Sequence, residues 1–77
     1  MSIRLQDERL LTFHEAAVYL PENCRPRPST WWRWWRTGVH GVKLDTIVIG
    51  NRRYTTAEAV QRFAAAITAQ IERRRAA

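Results

Sequence analysis

The residues best suited to chemistry in this chain lie between positions 29 and 37. This segment holds two arginines and three hydroxyl side chains but no carboxylate, namely Ser29, Thr30, Arg33, Arg36 and Thr37. Arginine donates paired hydrogen bonds to guanine edges and to phosphates, and hydroxyl groups donate to both kinds of acceptor. The segment therefore carries groups that suit the recognition of nucleic acid.

The same segment contains all four tryptophans of the chain. At about 100° per residue, Trp31 and Trp35 lie at the middle of one helical face, with Trp34 and Trp32 at its flanks. The polar side chains gather on the opposite face. This pattern predicts a short recognition helix with an aromatic back packed in the core. Trp32 suits either the rim of the domain or contact with a sugar-phosphate backbone, and a basic aromatic helix also suits an anionic membrane surface.

Net charge marks a longer basic region around this helix. Residues 25–53 hold seven basic side chains against Asp45 alone, which accounts for the whole net charge of +6. Such a concentration is what a phosphate-binding surface requires, although a charged segment is also a common solvated face. The candidate phosphate contacts are Arg25, Arg27, Lys43, Arg52 and Arg53.

Composition argues against several other classes of protein. Cys24 is the single cysteine, and its spacing from His14 and His40 matches no metal pattern. Catalytic triads and glycine-rich phosphate loops are also missing, so we expect a non-enzyme without metal or cofactor. The chain has no apolar run of about 18 residues, which predicts a cytoplasmic protein, associated with the nucleoid in a bacterium.

Local signals then divide the chain into elements. Residues 1–11 form a polar lead-in, and residues 12–75 form one small domain. A capping box of Thr12 and Glu15 predicts a first helix that Pro21 ends after Leu20. Three prolines predict an extended connector over 21–28. The tryptophan helix begins at Arg27 and Pro28 or is capped by Ser29, and Gly38 ends it.

A hairpin and a last helix follow. The β-prone runs 46–49 and 52–55 flank Gly50-Asn51, a two-residue hairpin signal, which predicts a DNA-contacting wing or an ordinary hairpin with solvated arginines. Thr55 or Thr56 caps the last helix, and Glu58 completes a capping box from Thr55. The predicted apolar stripe of this helix is Val60, Phe63, Ala64, Ile67 and Ile71. The basic tail 73–75 suits the helix dipole.

In order and spacing, Thr12-Phe-His-Glu-Ala-Ala17, Thr30-Trp-Trp-Arg-Trp-Trp-Arg-Thr-Gly38 and Ile49-Gly-Asn-Arg-Arg-Tyr-Thr55 resemble the single-wing helix-turn-helix domains of phage-type excisionases and MerR regulators. The resemblance covers about residues 11–66. It implies an α+β winged helix-turn-helix fold with helix 29–37 in the major groove and hairpin 46–55 as the wing. It places Thr30, Arg33, Arg52 and Arg53 where that family carries DNA contacts. The connector is about four residues longer than is usual in the family.

These observations predict sequence-specific binding of double-stranded DNA by an excisionase-like accessory factor of a phage or mobile element. The expected partners are DNA, an integrase or recombinase, and further copies of the chain on DNA, with Ile67 and Ile71 as contact points. The alternatives are a small transcriptional regulator of the same fold, a protein-interaction module and a membrane-active peptide.

Overall fold

A computed structural model of the chain describes residues 3–76 and has three α-helices and one β-hairpin. The elements are α1 (Phe13–Ala17), a short 3₁₀ helix (Glu22–Cys24), α2 (Pro28–Arg36), β1 (Ile47–Ile49), β2 (Arg52–Tyr54) and α3 (Ala57–Ala76). The two strands pair antiparallel and form the sheet of this α+β fold. Within the described residues, no helix is both long and apolar enough to span a membrane.

Helix α1 has the predicted start but an earlier end. The backbone N–H of Glu15 donates to Thr12 Oγ1 over 3.2 Å, and the N–H of Thr12 donates to the Glu15 carboxylate over 2.9 Å. The capping box is therefore confirmed. The helix was predicted to reach Leu20, but it ends at Ala17 and continues to Leu20 only as i→i−3 turns. Pro21 explains this tightening because it disfavours helical backbone at the preceding residue.

Helix α2 begins and ends at signals visible in the sequence. Pro28 is its first residue and Arg27 its N-cap, so Ser29 is not the cap. At the other end, Gly38 has φ +85°, and its N–H donates to the Arg33 carbonyl over 2.9 Å. A Cβ at Gly38 would lie 2.5 Å from the Val42 carbonyl oxygen. This position therefore requires glycine for both its backbone conformation and its space.

Aromatic side chains join the three helices. Phe13 of α1 stacks on Trp31 of α2 with ring centroids 5.2 Å apart and an interplanar angle of 6°. Trp34 contacts Trp31 edge-on at 5.1 Å and reaches Phe63 of α3 at 5.1 Å. The buried residues around this chain of rings are Leu11, Ala16, Trp31, Leu44, Ala59, Val60 and Phe63.

The prediction that Trp31 and Trp35 share the centre of the apolar face needs correction. Trp31 is 2% exposed, whereas Trp35 is half-buried; it packs at the edge of the core, and the Arg53 guanidinium of the hairpin lies over its ring. Since α1 and α3 approach α2 from the side of Trp31 and Trp34, the core centre is displaced toward those residues.

Thr56 precedes helix α3 and caps it, as one of the two predicted caps, and the capping box predicted from Thr55 does not form. Thr56 Oγ1 accepts a 2.9 Å hydrogen bond from the Ala59 N–H, while Thr55 Oγ1 donates to the Asp45 carbonyl. Of the predicted stripe, Val60 and Phe63 are buried and Ile67 packs at the core edge. The two other stripe residues, Ala64 and Ile71, are exposed.

The predicted lead-in contributes to the interior. Leu11 pairs with Thr55 through two 2.8 Å backbone hydrogen bonds. Glu8 is buried; its carboxylate accepts hydrogen bonds from Thr56 Oγ1 over 2.6 Å and from Arg62 over 3.1 Å. The N-terminal segment is thus fastened to the start of α3 by a charged contact that no local pattern predicts.

We expect Trp31→Ala to lower the free energy of unfolding by about 3–5 kcal/mol, because it leaves a cavity between α1 and α2. Trp32→Ala removes the edge-on contact with Trp35 and the exposed contact with the Arg36 guanidinium, and it should cost about 1 kcal/mol. Chemical denaturation followed by circular dichroism compares the two variants. A larger loss for Trp32→Ala would contradict the helix orientation described above.

Stability should also fall in acid through Glu8. The hydrogen bond from Thr56, together with those from Arg4 and Arg62, lowers the pKa of Glu8 from 4.5 to about 2 despite its burial. A lowered folded-state pKa stabilises the fold above pH 4.5, and this contribution is lost as the pH falls toward 2. Denaturation between those pH values should show a weaker pH dependence in Glu8→Gln than in the wild type. Some dependence should remain, because the Thr12 backbone hydrogen bond also lowers the pKa of Glu15. Identical pH profiles would contradict the role assigned to Glu8.

Candidate nucleic-acid interface

The outward face of α2 presents the polar residues that were expected from helical spacing to lie on one face. Ser29, Arg33, Arg36 and Thr37 are exposed, and Thr30 is half-buried. Their positions follow from the packing of Trp31 and its neighbours on the opposite face. The helix therefore brings two arginines and three hydroxyl groups to one surface.

Within the described residues, the positive charge around this face is not paired with a carboxylate. Among residues 3–76, the salt bridges join Arg4 to Asp7 and Arg62 to Glu8 and Asp45. Asp45, the single acid of residues 25–53, thus lies 3.9 Å from an arginine of α3. None of the seven basic residues in that range takes part in these ion pairs. Uncompensated positive charge on an exposed surface favours a polyanionic ligand.

Trp32 is the most exposed of the four tryptophans, at 51%. Its ring meets Trp35 edge-on at 5.0 Å, and the Arg36 guanidinium lies 5.8 Å from its centroid. The indole is therefore supported on one side and open to solvent on the other, beside an arginine of the basic face.

The hairpin places its two arginines differently. Ile49 pairs with Arg52 and Val48 with Arg53, and Gly50 at the turn has φ +64°. Neighbouring strand residues point to opposite faces, so the two arginine side chains separate. Arg52 is exposed. Arg53 donates from Nη1 to Thr46 Oγ1 over 2.7 Å, and its guanidinium carbon lies 3.5 Å from the Trp35 ring centroid.

Two predicted phosphate contacts therefore have internal roles. Arg53 joins the hairpin to α2, and Arg25 Nε donates to the carbonyls of Ala17 and Leu20 over 3.0 and 3.2 Å. Arg25 thus satisfies backbone acceptors at the end of α1, where positive charge is favourable. Strand alternation is the signal that could have separated Arg53 from Arg52. No local pattern marked the contact of Arg25.

The remaining predicted contacts, Arg27 and Lys43, are exposed on the segments that flank α2. In the part of the chain that the structure describes, no three histidine, cysteine, aspartate or glutamate side chains are grouped to hold a metal ion. Cys24 is exposed. His40 Nδ1 lies 3.4 Å from Arg74 Nη1.

Comparison with known proteins identifies one family. The family described as "Protein of unknown function (DUF1580)" matches residues 15–68, from α1 through α2 and the hairpin into α3. No curated protein and no solved structure matches the chain.

The Arg53 contact predicts an asymmetry between the two hairpin arginines. Arg53→Ala removes a hydrogen bond and a cation–π contact and should lower the free energy of unfolding by about 1–2 kcal/mol. Arg52→Ala is the matched control and should change it by less than about 0.5 kcal/mol. Denaturation curves for both variants test this difference. Equal stabilities would show that Arg53 does not join the hairpin to α2.

Proposed function

The chain belongs to the DUF1580 family, and we propose that it binds double-stranded DNA sequence-specifically as a small winged helix-turn-helix protein. The observation that carries the proposal is the outward face of α2, a short helix packed through Trp31, whose exposed arginines form no ion pair with any residue that the structure describes. The proposed chemistry is binding only, with no catalysis and no cofactor.

In this proposal, α2 enters the major groove. Arg33 donates to a guanine edge, and Thr30 lies beside it to contact a base or a neighbouring phosphate. Arg36, Thr37 and Ser29 extend the contact along the exposed face. An α-helix fits the width of this groove, which supports the choice of duplex DNA over double-stranded RNA.

The hairpin acts as the wing. Arg52 contacts the DNA backbone, and Arg27 and Lys43 hold phosphates on either side of α2. Arg53 positions the wing. Its guanidinium also adds to the positive potential of the surface, because only Nη1 bonds Thr46. Arg25 contributes charge in the same way from the end of α1.

The proposed biological role is that of an excisionase-like accessory factor that arranges DNA for an integrase or recombinase. Because a single small domain buries only about 600–1,000 Å² on DNA, firm occupancy favours several copies on one site. The exposed side chain of Ile71 on α3 supports such neighbour contacts. A small transcriptional regulator is the second candidate, supported by the same surface. Footprint length and bending of the bound DNA distinguish these roles.

A protein-interaction module would use the same helix without needing a polyanion. Binding to a 20-base-pair duplex that falls steeply with added salt would support the DNA proposal over this alternative, because phosphate contacts release counterions. Binding that does not change with salt, or no binding to duplex at all, would contradict it.

Mutations should separate base contacts from backbone contacts. After selection of a preferred duplex from a random pool, Arg33→Ala should lose about 1–3 kcal/mol on that duplex and little on random DNA. Arg52→Ala should weaken binding to the preferred duplex and to random DNA equally. It should also reduce the slope of the logarithm of the binding constant against the logarithm of salt concentration by about one unit. Fluorescence anisotropy titrations at several salt concentrations measure both effects. Equal losses of affinity for Arg33→Ala on the preferred duplex and on random DNA would show that Arg33 contacts the DNA backbone rather than the bases.

A further inference from the structure

We infer that Trp32 and Arg36 together recognise a 5-methylpyrimidine that lies next to guanine on one strand, such as the thymine and guanine of a TG or GT step. Trp32 contacts the methyl group, and Arg36 donates to the guanine. This inference rests on the proposed binding of α2 in the major groove and specifies part of its target.

The first support is the way the two side chains are arranged. They lie one turn apart on the same face of α2. The Arg36 guanidinium carbon is 5.8 Å from the Trp32 ring centroid, and Trp35 supports the indole edge-on at 5.0 Å. The indole ring and the guanidinium are therefore presented side by side, because α2 places the two residues one turn apart.

The second support is the exposure of the indole. Trp31 occupies the core and Trp34 reaches Phe63, so the positions that stabilise the interior are filled without Trp32. About half of a large apolar side chain is left in solvent at the border of the face that carries arginines and hydroxyl groups. Contact with an apolar group of the ligand would remove that surface from water.

The chemistry of the major groove identifies the apolar group. The C5-methyl of thymine is the apolar feature that base pairs display there, while guanine displays the N7 and O6 acceptors that arginine prefers. Successive bases on a strand are about 3.4 Å apart, so a guanidinium beside an indole matches neighbouring bases rather than a single base. 5-Methylcytosine carries its methyl group at the same ring position, and it would be read in the same way.

The test removes single methyl groups from the DNA. The probe is the duplex selected from a random pool, prepared with deoxyuridine in place of each thymidine that neighbours a guanosine on the same strand. For the wild type, each contacted methyl group that is lost should weaken binding about fourfold, which corresponds to about 0.8 kcal/mol. Trp32→Ala should bind the thymidine and deoxyuridine duplexes equally well, and Arg36→Ala should lose the preference for guanine at the neighbouring position.

Two controls make the result specific. Val48→Ala removes an apolar side chain of the wing that is 50% exposed, and it should keep the fourfold discrimination. In the second control, cytosine replaces the thymine of the same step, and methylation of that cytosine at C5 should strengthen binding by the wild type but leave binding by Trp32→Ala unchanged. Circular dichroism melts confirm that each variant is folded.

The outcomes separate this inference from the function on which it rests. Salt-dependent duplex binding with equal wild-type affinity for thymidine and deoxyuridine duplexes would overturn the inference and leave the DNA proposal intact. Discrimination that persists in Trp32→Ala would overturn it in the same way. Failure of the wild type to bind any duplex would overturn both.

Discussion

The stacked contact between Phe13 and Trp31 is the interaction on which the rest of the structure depends. Helix α1 has five residues, too few to be stable alone, so its position depends on what it packs against. Trp31 supplies that surface, and Trp34 continues the contact to Phe63 of α3. In a chain of 77 residues, a few large rings thus join the helices around a small set of buried aliphatic side chains.

This packing also sets the exposed surface. Once Trp31 faces α1 and Trp34 faces α3, the geometry of α2 directs Arg33 and Arg36 outward. The remaining two tryptophans occupy the side between the core and the outer face. Trp35 contacts the hairpin through the Arg53 guanidinium, and Trp32 borders the basic surface. The four tryptophans therefore do more than fill volume, because each one contacts or borders a different part of the molecule.

The sequence predicted those features that depend on neighbouring residues. The Thr12 capping box, the Gly38 terminus, the Gly50-Asn51 turn and the two faces of α2 all follow from local chemistry. Contacts between distant segments had no such signal. Glu8 meets Thr56 across 48 positions of sequence, and the bond from Arg25 to the end of α1 depends on how the connector folds back. The inward direction of Arg53 depends on which hairpin face meets α2, and this is a property of the assembled domain.

The Arg53 bridge has a mechanical consequence. A two-stranded hairpin is only marginally stable by itself, yet this one is tied to α2 by a guanidinium that lies on Trp35 and bonds Thr46. These contacts stiffen the hairpin relative to α2, so we expect little conformational entropy to be lost when a ligand occupies the surface that they share. A stiff surface does not adjust its shape to its ligand. A ligand that touches both parts must supply the deformation itself, so its flexibility, as well as its chemistry, governs how well it fits.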